Sequence, residues 1–271
     1  MPWSEYTGSE SDLADSAEEY FRKLFENPQI LKSTQIDSHL SWIPSLHFKG
    51  IRHDIIAIEA SETPYPAILR TCYSELLEVQ IPIVVYCICH EDVFLKKTNQ
   101  SEFNLLEKHG FGLLTVSDNS EVKKRISCIP LIQHIPDEEF ENEIRPLTKK
   151  IKIRIKDSFE TYKRDAGAGL ANLTEVAESI ILDVGNKLSR NGDIPRGISK
   201  RGNLHALTDS MYASNACINC KPAIGGIMSY ISTYRNTAHH TPKNRKQAHR
   251  KYKECKHGFI DGIKQINRFR D

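Results

Sequence analysis

Ile81-Pro82-Ile83-Val84-Val85-Tyr86-Cys87-Ile88-Cys89 is the stretch that decides the fold class of the first half of this chain. A short apolar run rich in β-branched and aromatic residues reads as a buried strand. Upstream, Ile55-Ile56-Ala57-Ile58 is a second such run, and about Pro66 to Val79 between them reads as a helix. Downstream, Glu102 to His109 forms another helix, ended by Gly110, and Phe111-Gly112-Leu113-Leu114-Thr115-Val116 is a further strand. Strands alternating with helices at this spacing predict a parallel or mixed sheet in a three-layer α/β domain. Cys87 and Cys89 are two apart on one strand and share a face, where core packing accounts for them. Ahead of this region lies a polar leader to about residue 35, with one short helix around Ala17 to Phe25.

Working outward in the other direction, Pro136-Asp137-Glu138-Glu139 opens a charged stretch that runs past Lys150 and offers little to pack. It reads as the join between two halves, a first domain over 1–140 and a second over 141–271. Beyond it the period is helical. Leu170, Leu173, Ala177, Ile180, Ile181, Val184 and Leu188 share one face of a long helix, with Glu175, Glu178 and Asp183 outside that row. Asn191-Gly192-Asp193 and Pro195 end it. Another helix spans Ala223 to His239, with Ile227, Met228, Ile231, Tyr234 and Ala238 as its buried stripe. A last helix runs from about Asn244 towards Gly258 or beyond. The second domain therefore reads as all-α.

Composition narrows the function classes. The chain has 271 residues and a formal net charge of +2, which names no partner. The distribution says more. Lys243, Arg245, Lys246, Arg250, Lys251, Lys253 and Lys256 stand together against the single acid Glu254, a basic block suited to a polyanion such as RNA. A solvated helix face is the plainer account of the same charges. No apolar run approaches the roughly 20 residues of a membrane span. The first residues, Met-Pro-Trp-Ser-Glu, lack the basic and then hydrophobic regions of a signal peptide, and the 7 cysteines are scattered and odd in number. A soluble, cytoplasmic protein without a disulfide framework is expected.

The chemistry concentrates in Tyr234-Arg235-Asn236-Thr237-Ala238-His239-His240. Metal-free RNA cleavage uses the ribose 2′-hydroxyl as nucleophile, so an enzyme must move protons and stabilise extra charge on phosphorus. Histidine titrates near neutral pH and can do the first. Arginine stays charged and matches phosphate oxygens with its planar fork of donors. In a continuous helix Arg235 and His239 face the same way, whereas His240 points well around the cylinder. Pro242 pushes Thr241 away from helical angles, so the helix is expected to end near His239 or His240, and a frayed end can turn His240 back.

An amphipathic helix ending in Arg-Asn, three residues and His, then Thr-Pro and a basic helix, resembles the HEPN family of helical-bundle ribonucleases. The resemblance covers roughly residues 155–271, and its Arg-x4-6-His spacing selects His240 ahead of His239. It implies that Arg235 and His240 are catalytic, that Asn236 orients the histidine or a phosphate, and that Lys243, Arg245, Lys246 and Arg250 contact RNA. It also implies a homodimer with a composite site, no metal or other cofactor, and products with 2′,3′-cyclic phosphate and 5′-hydroxyl ends. Toxins and anti-phage effectors are typical members, and members that have lost activity serve as RNA-binding or dimerisation modules.

In the first half, His53-Asp54-Ile55-Ile56-Ala57-Ile58-Glu59-Ala60-Ser61 and the strands that follow resemble restriction-endonuclease-like nucleases. Such enzymes hold magnesium with an Asp and a Glu-x-Lys. Ser61 stands where the lysine belongs, so the resemblance implies a degenerate domain that senses a ligand or regulatory protein. Cys217-x-x-Cys220 with Cys255 and His257 has zinc-ligand residue types, but the second pair is tighter than zinc sites use. The run Asp165-Ala166-Gly167-Ala168-Gly169 is too short for a phosphate-binding fingerprint.

Overall fold

The computed structural model describes residues 7–25, 30–33, 45–48, 55–62, 83–198, 204–237, 240–243 and 245–270. The chain divides into two compact units, Met1–Pro136 with Pro242–Tyr252 and Asp137–Thr241 with Lys253–Asp271. It is mixed in class, an α/β region and a helical region. The break near the middle falls at Pro136, a few residues before the expected one.

The first unit is built on a six-stranded sheet in sequence order, β1 (Ile30–Ser33), β2 (Ser45–Phe48), β3 (Ile55–Ala60), β4 (Ile83–His90), β5 (Gly112–Val116) and β6 (Val122–Ile126). β3, β4 and β5 run parallel, and the β1–β2, β2–β3 and β5–β6 pairs are antiparallel, so the sheet is mixed. The decisive run forms the central strand β4, buried on both faces through Cys89. Because side chains alternate, Val84, Tyr86 and Ile88 meet Leu13, Ala14, Ala17 and Phe21 of α1 (Ser9–Leu24). Val85, Cys87 and Cys89 pack on the opposite face with Phe103 and Leu106. Those two belong to α3 (Gln100–Lys108), which follows the short α2 (Glu91–Leu95). Among the described residues α1 packs on one face of the sheet and α3 on the other. α1 begins eight residues before the expected Ala17 because Leu13 and Ala14 already belong to the core. The expected helix over about 66–79 lies outside the described residues, as does Asp54.

The second unit corrects the reading of the charged stretch. Asp137–Ile144 is a helix, α4, and Lys149–Arg164 is another, α5. Phe140 stacks on Phe159 with ring centroids 3.9 Å apart, and Phe159 and Tyr162 both meet Phe259. The charges form the outer faces of two amphipathic helices. Asp165 then caps α6 (Ala166–Asn191), its carboxylate accepting from the backbone N–H groups of Gly167 and Ala168 at 2.9 and 3.0 Å. A Cβ at Gly169 would lie 2.3 Å from the Tyr162 backbone, so the small-residue run serves the α5–α6 corner. Gly192, with φ 85°, closes α6 in the left-handed conformation. Then come α7 (Leu204–Ala213), a 3-10 segment (Asn215–Cys220), α8 (Lys221–Thr237) and α9 (Arg245–Arg270). Among the described residues, no helix is long and apolar enough to cross a membrane.

Candidate active site

The site is built on the end of α8. That helix buries Ile224, Ile227, Tyr230 and Ile231, while Met228 and Tyr234 are half-buried. Tyr230 therefore belongs to the stripe, and Ala238 lies outside the described residues. Two glycines of α9 let α8 approach closely. A Cβ on Gly262 would meet the Tyr230 ring and hydroxyl at about 2.4 Å, and one on Gly258 would meet Tyr234 at 2.6 Å. The two tyrosine rings lie 5.3 Å apart. Burial, and then the charge of Asp261, raise both phenols above their ordinary range, so neither serves as a base near neutral pH. This packing orients the turn that carries the next residue, Arg235.

Arg235 stands with 65% of its side chain exposed, and its Nη1 lies 3.4 Å from Oε1 of Glu178, whose side chain is only 9% exposed. Glu178 is on α6 and was placed outside the apolar row by periodicity; the structure buries it. Glu175 and Asp183 are exposed as expected. The reason is a second buried face of α6, lined by the small or polar residues Thr174 and Gly185, where a Cβ on Gly185 would strike Leu207 at 2.5 Å. Hydropathy does not mark such a face. A buried carboxylate holding one edge of a guanidinium leaves other donors of Arg235 directed to solvent, where they can meet a phosphate.

Asn236 is exposed beside Arg235. α8 is described through Thr237, whose hydroxyl donates to the Thr233 carbonyl at 3.2 Å, and the expected end near His239 lies outside the described residues. His240 is exposed just past this point, and its backbone N–H donates to the Thr237 carbonyl at 3.4 Å. Arg235, Asn236 and His240 thus share one helix end, while His239 lies outside the described residues. Lys243, Lys246 and Arg250 are exposed at the start of α9, in the portion grouped with the first unit, and the side chain of Arg245 lies outside the described set. The Lys243 backbone N–H donates to Gln247 Oε1 at 2.7 Å.

Glu59 is half-buried on β3, opposite Cys87 of β4, and Ser61 follows directly after the strand. Cys217 and Cys255 are buried, whereas Cys220 and His257 are exposed. Among the described residues, no group of three or more His, Cys, Asp or Glu side chains comes together as a metal site. Comparisons with protein-family models, curated proteins and solved structures return no match for this chain.

Proposed function

We propose that the second unit is a HEPN-type, metal-independent endoribonuclease. The observation that carries this reading is the helix end itself. A guanidinium is held on one side by a buried carboxylate and open on the other, with an exposed amide beside it and an exposed imidazole just past the helix. In the reaction, the ribose 2′-oxygen attacks phosphorus and the bond to the 5′-oxygen breaks. One histidine accepts the 2′-hydroxyl proton and a second donates a proton to the leaving oxygen. Arg235 neutralises charge developing on the non-bridging oxygens. The products are a 2′,3′-cyclic phosphate and a 5′-hydroxyl.

Two histidines acting at once call for a composite site, so the working form is a homodimer with its two α8 ends facing one phosphate. The biological setting that suits such an enzyme is a cytoplasmic toxin or anti-phage effector. An unregulated ribonuclease would harm its own cell, which gives the first unit a regulatory role. We read that unit as a degenerate restriction-endonuclease-like domain that binds a ligand or protein.

The test is cleavage of total cellular RNA by the purified protein in EDTA, beside Arg235→Ala and His240→Ala variants. Cleavage by the wild type alone, leaving cyclic-phosphate ends, supports the enzyme. The Glu178–Arg235 pair favours one second reading, in which Arg235 serves mainly as a structural counter-ion within an inactive RNA-binding or dimerisation module. Such a module binds RNA equally well with His240→Ala and cleaves it in neither form.

A further inference from the structure

The same helix that ends in Arg235 lines a second feature. Between α7 and α8 lies a cleft of about 240 Å³, bordered by His205, Asp209 and Tyr212 on one side and by Gly225, Ser229 and Ser232 on the other. Positions 225, 229, 232 and 236 follow one another at spacings of four, three and four, so they form a single face of α8. The cleft therefore opens along the line that leads to Asn236, beside Arg235. Ser232 precedes Arg235 by three residues, roughly 4.5 Å along the helix axis.

Two details of the cleft bear on what it can hold. The first is Gly225. A glycine within a helix weakens it relative to alanine. Its neighbour Gly226 has a steric reason, since a Cβ there would lie 2.5 Å from Gln265 Oε1. At Gly225, which is exposed and borders the cleft, an added Cβ would meet nothing within 4 Å among the described residues, so a larger side chain there would project into the open space of the cleft. The second is Tyr212, a large ring left 50% exposed at the cleft wall. The Lys221 ammonium stands 5.1 Å from the centroid of that ring. An exposed aromatic with a cation beside it is the arrangement that stacks a nucleobase and neutralises its phosphate. Serine hydroxyls and the Asp209 carboxylate supply polar partners for a base edge. Ser232 already donates its proton to the Ser229 carbonyl at 3.0 Å, so its oxygen is available as an acceptor.

From these observations we infer that the α7–α8 cleft is a nucleotide subsite, which seats one unpaired base of single-stranded RNA next to the phosphate held at Arg235. The inference rests on the ribonuclease reading for its substrate class and adds where the substrate is gripped. It makes a single-stranded segment the preferred target, because a base locked in a duplex cannot enter.

The experiment measures fluorescence anisotropy of a short labelled RNA oligomer, 2′-O-methylated at every position so that it cannot be cut. It is titrated with the full chain and its variants. Tyr212→Ala and Gly225→Leu are each expected to weaken binding about tenfold, the former by removing the stacking ring and the latter by filling the floor. Tyr212→Phe keeps the ring and should stay within about twofold of wild type. Position 225 has room and leucine favours helix, so thermal melts of Gly225→Leu should match or exceed wild type. Wild-type-like binding by both Tyr212→Ala and Gly225→Leu overturns the subsite, as does a wild type that does not bind the oligomer. The two readings separate cleanly. Cleft-dependent binding without cleavage of unmodified RNA keeps the subsite and removes the ribonuclease. His240-dependent cleavage that the cleft variants leave intact does the reverse.

Discussion

Arg235 and Glu178 join two helices of the second unit through an ion pair whose halves sit in opposite surroundings. The guanidinium is largely in water, whereas the carboxylate is almost wholly buried, 3.4 Å away. The two residues therefore do not depend equally on each other. Removing Glu178 returns an exposed arginine to solvent at small cost, but removing Arg235 leaves a buried carboxylate without its cation.

This asymmetry makes a first prediction. Arg235→Ala should destabilise the second unit by about 1–3 kcal/mol, an amount reduced from that of a fully buried pair because one side is hydrated. Glu178→Gln should cost less. The double variant Arg235→Ala/Glu178→Gln should recover much of the loss. Urea denaturation of the four proteins measures it, and equal costs for the two single variants would contradict the pairing. In cleavage assays Glu178→Gln should lower kcat about tenfold with little change in KM, since it loosens the arginine without removing a phosphate contact. Loss of activity in Arg235→Ala has to be judged against its stability.

The contact between α8 and α9 supplies the second prediction. Gly258 and Gly262 lie one turn apart and receive Tyr234 and Tyr230, leaving no room for a methyl group. Gly258→Ala and Gly262→Ala should each destabilise by about 1–3 kcal/mol through overpacking, although alanine is the better helix former. Tyr234→Phe should be close to neutral because the ring, not the hydroxyl, fills the space. A thermal melt that rises for Gly258→Ala would show that α8 can move away freely, and would undercut the packing that orients Arg235.

How much of this was legible in the sequence follows from which residues carry each element. β4 was plain because its whole run, Ile83 to Cys89, is apolar and buried. β6 was not, since Val122-Lys123-Lys124-Arg125-Ile126 is an edge strand with half-buried and exposed positions only, and charged edges hide a strand from hydropathy. α4 and α5 were lost for a related reason. Phe140, Ile144, Ile155, Phe159 and Tyr162 are spaced as a helix requires, but the surrounding charges dominate the composition. At the candidate site, Arg235, Asn236 and His240 could be picked out because their residue types and spacing carry chemistry. Glu178 could not, because nothing local distinguishes it from Glu175; only its position against α8 does.

The third prediction concerns acid. Burial of Glu18 raises its carboxyl, but hydrogen bonds and charge from Lys32 and Arg22, each 2.7 Å away, outweigh this and lower it overall. A carboxyl lowered in the folded state contributes stability that is complete above its unfolded value. That contribution is lost as pH falls through the folded value. Both cations are substantially exposed, so the effect is at most about 1 kcal/mol. The wild type should therefore lose more stability than Glu18→Gln between neutral pH and the carboxylate range, with the two curves converging at low pH. Parallel curves over that range would show that the cluster contributes nothing to the first unit.

The last prediction separates a nucleic-acid contact from a solvated helix face. Lys243 and Lys246 are exposed at the head of α9, within the basic run from Lys243 to Lys256. Charge of this kind meets phosphates without regard to sequence, and each such contact releases counter-ions on binding. If these lysines touch RNA, Lys243→Gln and Lys246→Gln should weaken binding alike for every RNA sequence. Each should also reduce the slope of log affinity against log salt by about 1. Arg235→Ala should act differently, since its loss falls on cleavage more than on affinity if the guanidinium meets the phosphate mainly as charge builds in the transition state. A salt slope unchanged in the Lys243→Gln/Lys246→Gln double variant would mean that the block is only the wet side of α9, and RNA affinity would then have to come from the α8 end and the cleft beside it.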